Sequence, residues 1–398
     1  MYCMAKILVV NKFYYRRGGD CIYTIDLVGL LQSHGHDVAV FAMQHPETLQ
    51  TPWNKYFPEE VKFGLGTSSF KAILRPFGTA DVIQKFNALL DDFKPDIVHL
   101  NNIHSQLSPV IAEVAHGRGI KVFWTLHDHK LLCPRYDCLR NGTICEQCLD
   151  NLHNVVKHKC LKKSYIASFI AYFEAKKWNR DRLEKCTDQF IAPSQYMLKK
   201  MKSGRFTSPK ITQLYHFVDE KKYENVDYKK EDYYCFVGRL SPEKGVATLI
   251  EAVAQLPYKL KIVGDGPLKE ELITKVNKNA FVEFLGFKSW EEVKTIVGKA
   301  RFIVVPSECN EVLGLVALEA LCLGTPVLGA RIGGIPELIE EGFSGMTFES
   351  RDVEDLKVKI EMMWNARFDY EALAEYSLQK YGSESYYRQL MNIYKQSV

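Results

Sequence analysis

Two glutamates flank a glycine at the point where one apolar run ends and the next begins. Glu311 and Glu319 are separated by seven residues, and Gly314 lies between them. A strand-like run at 302–305 comes before this segment, and a helix-like run follows at 315–323. The free N–H groups at the start of a helix attract anions, phosphate above all. The segment therefore predicts a site for a polyhydroxylated, phosphorylated ligand, and the alternative is a surface loop before a core helix.

Two basic residues follow another strand-like run, at 233–237. They lie in a loop that begins and ends with a glycine, at 238–245. Gly238 lets the backbone approach a ligand, and Arg239 and Lys244 supply two cations. An arginine grips phosphate oxygens with a planar fork, whereas a lysine acts as a point charge. The loop therefore predicts a phosphate site, and the alternative is a pair of solvated side chains. Two more glycine-rich turns follow, with the sequences GDGP at 264–267 and GGIPE at 333–337.

Strand-like and helix-like patterns alternate along the whole chain and must position these loops. The predicted strands are 6–10, 38–41, 96–100, 122–126, 190–192, 233–237, 260–263, 282–285, 302–305 and 327–328. Strands that alternate with helices predict doubly wound parallel sheets. Ligands of such sheets bind outside the carboxyl ends of the strands. A charged stretch at 219–232 separates two series of strands, so we predict two α/β domains facing each other across a cleft.

Composition limits the class of protein. The chain has 398 residues, of which 46% are hydrophobic and 25% charged, and its net charge is only +4. That charge is too small to indicate a nucleic-acid partner. Apolar stretches are shorter than the roughly 20 residues of a membrane span, and residues 7–10 are too few for a secretory signal. Eleven cysteines, an odd number, suit reduced thiols. These features predict a cytoplasmic protein.

The four motifs, taken in order, resemble the retaining GT-B glycosyltransferases of family 4. They are the loop at 238–245, the turn at 264–267, the Glu311/Glu319 pair and the turn at 333–337. The resemblance implies a GT-B fold with an acceptor-side domain at 1–215 and a nucleotide-sugar domain at 216–375. A C-terminal helix at 376–398 would pack back on the first domain.

The same resemblance implies a reaction and its setting. The protein would be a retaining, hexosyltransferase-like enzyme that moves a sugar from a nucleoside diphosphate sugar to an acceptor hydroxyl. The acceptor would be a glycan or a lipid-linked molecule of bacterial cell-surface polysaccharide synthesis. No Asp-x-Asp pair of the kind that binds Mg²⁺ beside a nucleotide sugar is evident, so we predict that catalysis needs no metal or other cofactor. A non-catalytic sugar-nucleotide-binding protein and a GT-B epimerase are the alternatives.

The resemblance also implies roles for single residues. Arg239 and Lys244 match the cations that neutralise the donor diphosphate, and fixed cations of this kind stabilise a leaving group. Glu319 matches the glutamate that binds the ribose hydroxyls, and Glu311 the one that lies against the donor sugar. His127 matches the histidine that contacts the donor sugar or the reacting centre. The remaining predicted donor-binding positions are Gly18, Gly19, Gly238, Gly314 and Leu315.

Further residues of the first half are predicted to meet the acceptor. An anionic or lipid-phosphate acceptor could contact the segment at 14–17, with the sequence YYRR, unless its basic residues are merely exposed and solvated. A polar cluster after the strand at 96–100 is predicted to line the acceptor pocket. Its members are His99, Asn101, Asn102 and His104.

Five of the eleven cysteines lie close together in the sequence, and two of them form a C-x2-C pair. Four thiolates can hold a tetrahedral zinc ion, and an iron–sulfur cluster is the less favoured occupant. Such a metal would have a structural role, and the alternative is a set of reduced thiols without a metal. The cysteines are Cys133, Cys138, Cys145, Cys148 and Cys160.

The segment at 157–185 combines nine lysines and arginines with aromatic and aliphatic residues at helical spacing, against three acidic residues. A basic amphipathic helix can lie on an anionic bilayer. The alternative is a domain helix with a buried apolar face and a solvated basic face. The first interpretation predicts peripheral contact with the inner face of the membrane.

Overall fold

A computed structural model describes residues 4–61, 67–276 and 281–396. The chain forms two compact units. Unit 1 comprises Met1–Cys138, Cys145–Tyr215 and Tyr386–Val398, and unit 2 comprises Leu139–Ile144 and His216–Ser385. The C-terminal return to unit 1 thus begins at Tyr386, later than the predicted start at 376.

Unit 1 is built on a six-stranded sheet in which every neighbouring pair of strands is parallel. Its strand order is β2-β1-β3-β4-β7-β8. The strands are β1 (Lys6–Val10), β2 (Asp37–Phe41), β3 (Ile97–Leu100), β4 (Lys121–Thr125), β7 (Gln189–Ala192) and β8 (Ile211–Gln213); a separate antiparallel hairpin consists of β5 (Leu139–Arg140) and β6 (Thr143–Ile144). Four of the five residues of β1 are fully buried because helices cover both faces of a parallel sheet.

The helices of unit 1 alternate with these strands. They are α1 (Gly19–Ser33), α2 (Thr67–Leu74), α3 (Ala80–Phe93), α4 (Val110–Gly117), α5 (Gln147–Asp150), α6 (Asn154–Lys157), α7 (Tyr165–Lys177), α8 (Arg180–Lys185) and α9 (Gln195–Ser203), with 3₁₀ turns at Asn54–Tyr56, Arg75–Phe77 and Ser208–Lys210. Side-chain caps begin three of them, since the side chains of Ser164, Asn179 and Ser194 accept hydrogen bonds from the first turns of α7, α8 and α9.

Unit 2 also has a six-stranded parallel sheet, in the order β11-β10-β9-β12-β13-β14. Its strands are β9 (Tyr234–Val237), β10 (Leu260–Val263), β11 (Val282–Gly286), β12 (Ile303–Val305), β13 (Val327–Ala330) and β14 (Gly345–Phe348). The helices are α10 (Val246–Ala252), α11 (Lys269–Val276), α12 (Trp290–Lys299), α13 (Leu315–Cys322), α14 (Val353–Asn365) and α15 (Tyr370–Tyr381), with 3₁₀ turns at Glu220–Tyr223, Pro242–Lys244 and Ile335–Leu338. Helix α16 (Ser383–Gln396) begins at the end of unit 2 and belongs to unit 1 from Tyr386 onward. Tyr234, Phe302 and Phe348 are among the fully buried side chains of its core.

All ten predicted strands are present, with ends that differ by at most two residues. The sequence patterns did not predict β8 and β14, the strands at one edge of each sheet. Within the described residues, no helix combines the length and the apolar character that a membrane crossing requires.

Candidate active site

The predicted phosphate loops of unit 2 gather at one edge of its sheet. Strand β9 lies between β10 and β12, and all three run in the same direction. The loops that follow them therefore leave the sheet at the same edge, where ligands of parallel sheets bind. The fourth motif follows β13, the neighbour of β12.

Close backbone contacts lock these loops together. Gly245 has a φ of +67°, and a Cβ atom there would lie 1.7 Å from the carbonyl oxygen of Pro306. Gly333 has a φ of +58°, and its Cβ would lie 2.3 Å from the carbonyl oxygen of Glu311. The next amide, of Gly334, donates to that same oxygen over 2.8 Å. Only glycine fits at either position. The two glycines therefore fix the backbone positions of Glu311 and of Lys244, the residue before Gly245.

Lys244 and Glu311 form an ion pair. The Nζ atom of Lys244 lies 2.5 Å from Oε1 of Glu311, and the two side chains are 34% and 19% exposed. The hydroxyl of Ser307 donates to the same carboxylate oxygen over 3.0 Å, and the thiol of Cys309 lies 3.9 Å away. The sequence predicted both charged residues as ligand contacts but did not predict that they pair with each other.

The ion pair keeps both groups charged. Burial acts to raise the pKa of Glu311, but the charge and hydrogen bond of Lys244 outweigh it, so the pKa lies below its usual value. Burial acts in the opposite direction on Lys244, and Glu311 outweighs it, so the pKa of the lysine is raised. The pair therefore contributes stability between about pH 4.3 and 10.4, the usual pKa values of the two groups. That contribution is lost as pH falls through the lowered pKa of Glu311 or rises through the raised pKa of Lys244.

The remaining predicted residues of unit 2 lie in the loop that carries Lys244 and at the start of α13 or within it. Arg239 is exposed and makes no ion pair with any described residue, so its guanidinium is available to an anion. Gly314 has a φ of +95° and caps α13, whose first residue is Leu315. Glu319 is half-buried within α13. Helix α13 thus presents the free N–H groups of its first turn beside the ion pair's loop.

Glu308 is a neighbour of this site that sequence reasoning missed. Its carboxylate accepts a hydrogen bond from Thr248 over 2.5 Å and forms an ion pair with Arg351 at 3.3 Å. Glu308 therefore ties helix α10 to the loop after β12. Nothing in the residue pattern indicated this role, because both partners are distant in sequence.

In unit 1, His127 follows β4 and is hydrogen-bonded to the side-chain amide of Asn101. Its Nε2–H group donates to Oδ1 of Asn101 over 3.0 Å, and its ring packs edge-on against Tyr23 with centroids 4.9 Å apart. Burial, with smaller effects from nearby basic groups, lowers the pKa of His127 to about 3. The imidazole is therefore neutral at physiological pH, a hydrogen-bonding group rather than a cation.

The predicted acceptor cluster around His99 divides into buried and partly buried members. His99 is fully buried, and its ring nitrogens are hydrogen-bonded to Tyr394 at 2.6 Å and Thr125 at 2.8 Å. His99 thus ties the C-terminal helix to the sheet and does not line a pocket. Asn101 is also buried and holds His127 as described above. The partly buried members are Asn102 and His104.

The loop after β1 lines a cavity. Gly18, with an extended backbone, caps α1 and borders a cavity of about 560 Å³ together with Lys12, Arg17 and Asp20. In the neighbouring segment, Tyr14 and Tyr15 are 6% and 8% exposed, so the prediction that they are available to an acceptor is wrong. Only the two arginines of that segment are exposed. Apolar burial of the tyrosine rings explains the difference.

The five clustered cysteines do not form a metal centre in the described residues. No group of three or more His, Cys, Asp and Glu side chains is placed there to hold a metal ion. A hydrogen bond from Cys138 instead lowers the pKa of Cys133 to about 7, and the thiol of Cys160 lies 3.9 Å from the carbonyl oxygen of Asn154. The arrangement therefore does not fit the predicted zinc or iron site, and we assign no step to a metal there.

We expect buried histidines to make the fold acid-sensitive. Burial lowers the pKa of both His99 and His127 to about 3, so below about pH 6.5 they bind protons only when the chain unfolds. Stability is unaffected above that pH and falls by about 1.4 kcal/mol per pH unit for each histidine below it. Urea unfolding at pH 7 and pH 5 measures the loss.

The variant His127→Gln provides the comparison for this acid sensitivity. Glutamine keeps a donor for Asn101 but has no group that titrates in this range. Below about pH 6.5 its unfolding free energy should fall less steeply than that of the parent protein, by about 1.4 kcal/mol per pH unit, because His99 and the other histidines with lowered pKa values still titrate. Equal slopes for parent and variant would contradict the assignment to His127.

Two known sequence families match the chain. Residues 17–222, more than half of the chain, match the family described as Glycosyltransferase Family 4. The chain belongs to glycosyltransferase family 4. Residues 217–380 match the family described as Glycosyl transferases group 1. The loops at 238–245, 264–267, 307–319 and 333–337 all lie within this second match.

Individual relatives agree with this family 4 assignment. An uncharacterised glycosyltransferase of Methanocaldococcus jannaschii is 33% identical over 177 residues, which are 44% of this chain and 49% of the relative, so the match spans about half of that protein. An uncharacterised 42.6 kDa protein in the cps region of Klebsiella pneumoniae is 26% identical over 352 residues, 84% of this chain and 87% of the relative.

The fold of this family 4 member is also that of a solved structure. The Anabaena protein HepE, solved in complex with UDP and glucose, superposes with a TM-score of 0.68. The superposition covers 98% of this chain and 100% of HepE at 18% identity, so the likeness shows the fold alone. Two parallel-sheet α/β units and this likeness confirm the predicted GT-B fold.

Proposed function

We propose that the protein transfers a sugar from a nucleoside diphosphate sugar to an acceptor hydroxyl, with retention of anomeric configuration. The observation that carries the proposal is the Lys244–Glu311 ion pair, at 2.5 Å, in the loops that also carry exposed Arg239 and lead into α13. Cleavage of the donor builds negative charge on the diphosphate. Fixed cations and helix-end N–H groups stabilise such charge without reorganising during the reaction.

In this proposal the two cations of unit 2 have different tasks. Arg239 is exposed, and its fork of donors suits the terminal oxygens of a diphosphate. Lys244 is oriented by Glu311, whose carboxylate also accepts a hydrogen bond from Ser307, so the charge of Lys244 has a fixed position before the donor arrives. Glu319 keeps its predicted contact with the ribose, and His127, which is neutral, keeps its predicted contact with the donor sugar or the reacting centre. Membership of family 4 supports these assignments.

Relatives suggest the donor and the setting. HepE was solved with UDP and glucose, which supports a uridine diphosphate sugar as the first donor to test. The Klebsiella relative is from a cps region, which supports a role in cell-surface polysaccharide synthesis. For the acceptor we propose a glycan or lipid-linked molecule, reached from the cytoplasmic face of the membrane.

A screen of UDP-, GDP- and ADP-sugars by thermal unfolding tests donor binding. A ligand present at 100 times its Kd adds about 2.7 kcal/mol of stability, and a shift of that kind reports binding directly. The true donor should then release its nucleoside diphosphate when a bacterial lipid extract supplies acceptors. Binding without release would favour a non-catalytic protein, and a changed donor sugar without acceptor would favour an epimerase.

We expect transfer to be insensitive to chelators. The proposed chemistry neutralises the diphosphate with Arg239 and Lys244, so EDTA should leave the rate of product formation unchanged within twofold or so. The measurement is the rate with the identified donor, before and after dialysis against EDTA. Recovery of a lost rate by added Mg²⁺ or Mn²⁺, but not by Zn²⁺, would show that a divalent cation takes part.

A further inference from the structure

Helix α7 of unit 1 carries its large apolar side chains on its outside. Tyr165, Ile166, Phe169 and Phe173 are 58%, 74%, 54% and 41% exposed. Their spacing puts them in one stripe along the helix, and the rings of Phe169 and Phe173 pack edge to face with centroids 4.7 Å apart. We call these four residues the outer face of α7. Isolated exposed apolar residues are ordinary, but a continuous stripe marks an interaction surface.

The inner side of the same helix is small and polar. Its buried residues are Ser168, Ala171 and Glu174. Glu174 pairs with Lys130 at 2.8 Å, and the two side chains are only 6% and 9% exposed. The large apolar side chains are thus exposed and the small and polar ones buried, the reverse of an ordinary domain helix. The alternative prediction, a domain helix with a buried apolar face, is therefore wrong. Small inner residues let the helix pack closely, which leaves the large side chains outside.

Lysines border the outer face at both ends. Lys157, Lys159 and Lys163 are exposed before the helix, and Lys176 is exposed near its end. Lys159 lies over the ring of Tyr165, with its Nζ atom 4.3 Å from the centroid. The one acidic residue between positions 157 and 177 is Glu174, which is buried and paired. The surface around the apolar stripe is therefore basic.

We propose that the outer face of α7 docks on an anionic lipid bilayer, with the aromatic stripe in the headgroup region and the bordering lysines on lipid phosphates. The apolar stripe suits the apolar interior of the headgroup boundary, and the lysine border suits the negative charge of the lipid phosphates. A second copy of this chain fits poorly, because a two-fold contact would bring the same lysines of both copies together. Charge complementarity thus selects the membrane among the occupants that an apolar face can have.

The inference deepens the proposed function, on which it rests in one respect: docking would bring unit 1 to a lipid-linked acceptor. The binding itself needs neither donor nor acceptor. Failure of vesicle binding would consequently leave the donor screen unaffected, and failure of the donor screen would leave vesicle binding to be measured separately.

Flotation of the full chain with lipid vesicles tests the proposal. The protein should float with phosphatidylcholine vesicles that contain about a third of phosphatidylglycerol, and it should stay at the bottom with phosphatidylcholine alone. Phe169→Ser with Phe173→Ser should weaken binding by about tenfold for each side chain lost from the bilayer. Lys159→Gln with Lys163→Gln should weaken it by about fivefold for each charge and reduce its salt dependence.

Matched controls keep the result specific. Phe287 of unit 2 is 82% exposed, so Phe287→Ser removes an even more accessible ring elsewhere and should leave flotation unchanged. The lysine double variant tests the proposal even if the phenylalanine double variant does not fold. Equal recovery with neutral and anionic vesicles would overturn the proposal. So would a dimer, seen by sedimentation, that Phe169→Ser with Phe173→Ser dissociates while vesicle binding is unaffected.

Discussion

Replacing Lys244 with alanine will lower kcat for sugar transfer by about 100- to 1,000-fold, the usual effect of removing one fixed group that stabilises developing charge. The lysine is held by Glu311 at 2.5 Å, so its charge is in position before the reaction and costs nothing to orient. The KM for the donor should rise much less than kcat falls, because Arg239 and the start of α13 still bind the ground-state diphosphate. Initial rates at several donor concentrations measure both.

Two further variants separate charge from structure in this experiment. Lys244→Arg keeps the charge and should recover part of the rate, although a guanidinium cannot reproduce the point contact of an ammonium. Lys275→Ala removes a lysine that pairs with Glu271 at 2.7 Å, where both side chains are more than half exposed, and should leave the rate unchanged. If Lys244→Ala kept full kcat, leaving-group stabilisation by this residue would be ruled out.

The strands were predictable because burial dictates their residues. A strand covered on both faces must be mostly apolar, and the runs at 6–10 and 260–263 are apolar apart from one lysine each. The edge strands β8 and β14 show no such run, because their sequences, ITQ and GMTF, contain polar residues or glycine. Strand β14 begins with Gly345, which has a φ of +149° and closely approaches the backbone of Val327, a contact that no local pattern reveals.

The site was predictable in its residues but not in its connections. Residue types and spacing indicated Arg239, Lys244 and Glu311 as contacts of a phosphorylated ligand. The pairing of Lys244 with Glu311 joins positions 67 residues apart, and it follows from the order of strands in the sheet. The same limit hid the link from His99 to Tyr394, which spans 295 residues.

The orientation of α7 shows a different limit. Large apolar residues at helical spacing predicted an amphipathic helix within 157–185, and a helix is present at Tyr165–Lys177. Small residues recur on the opposite side at a similar spacing, so periodicity alone left two faces that could be buried. The ion pair between Glu174 and Lys130 decides which one is inside, and Lys130 lies in a distant loop.

Replacing Gly245 with alanine will destabilise unit 2 and displace the loop that carries Lys244. A Cβ atom would lie 1.7 Å from the carbonyl oxygen of Pro306, and the φ of +67° is unfavourable for any other residue. The left-handed conformation costs alanine about 1 kcal/mol, and the forced separation of two backbone segments adds about 1–3 kcal/mol. For a domain of this size we expect Tm to fall by roughly 4–16 °C, measured by calorimetry.

Gly286 is the matched control, since it separates backbone strain from the clash. Its φ of +70° is almost the same, but a Cβ there would meet no atom within 4 Å. Gly286→Ala should therefore lower Tm by only about 2–4 °C and leave donor binding intact, whereas Gly245→Ala should weaken donor binding as well. If Tm fell equally in the two variants, the requirement for glycine at position 245 would not come from the contact with Pro306. The larger loss at Gly245 would instead show that packing between the loops after β9 and β12 sets the position of the cation on which the proposed reaction depends.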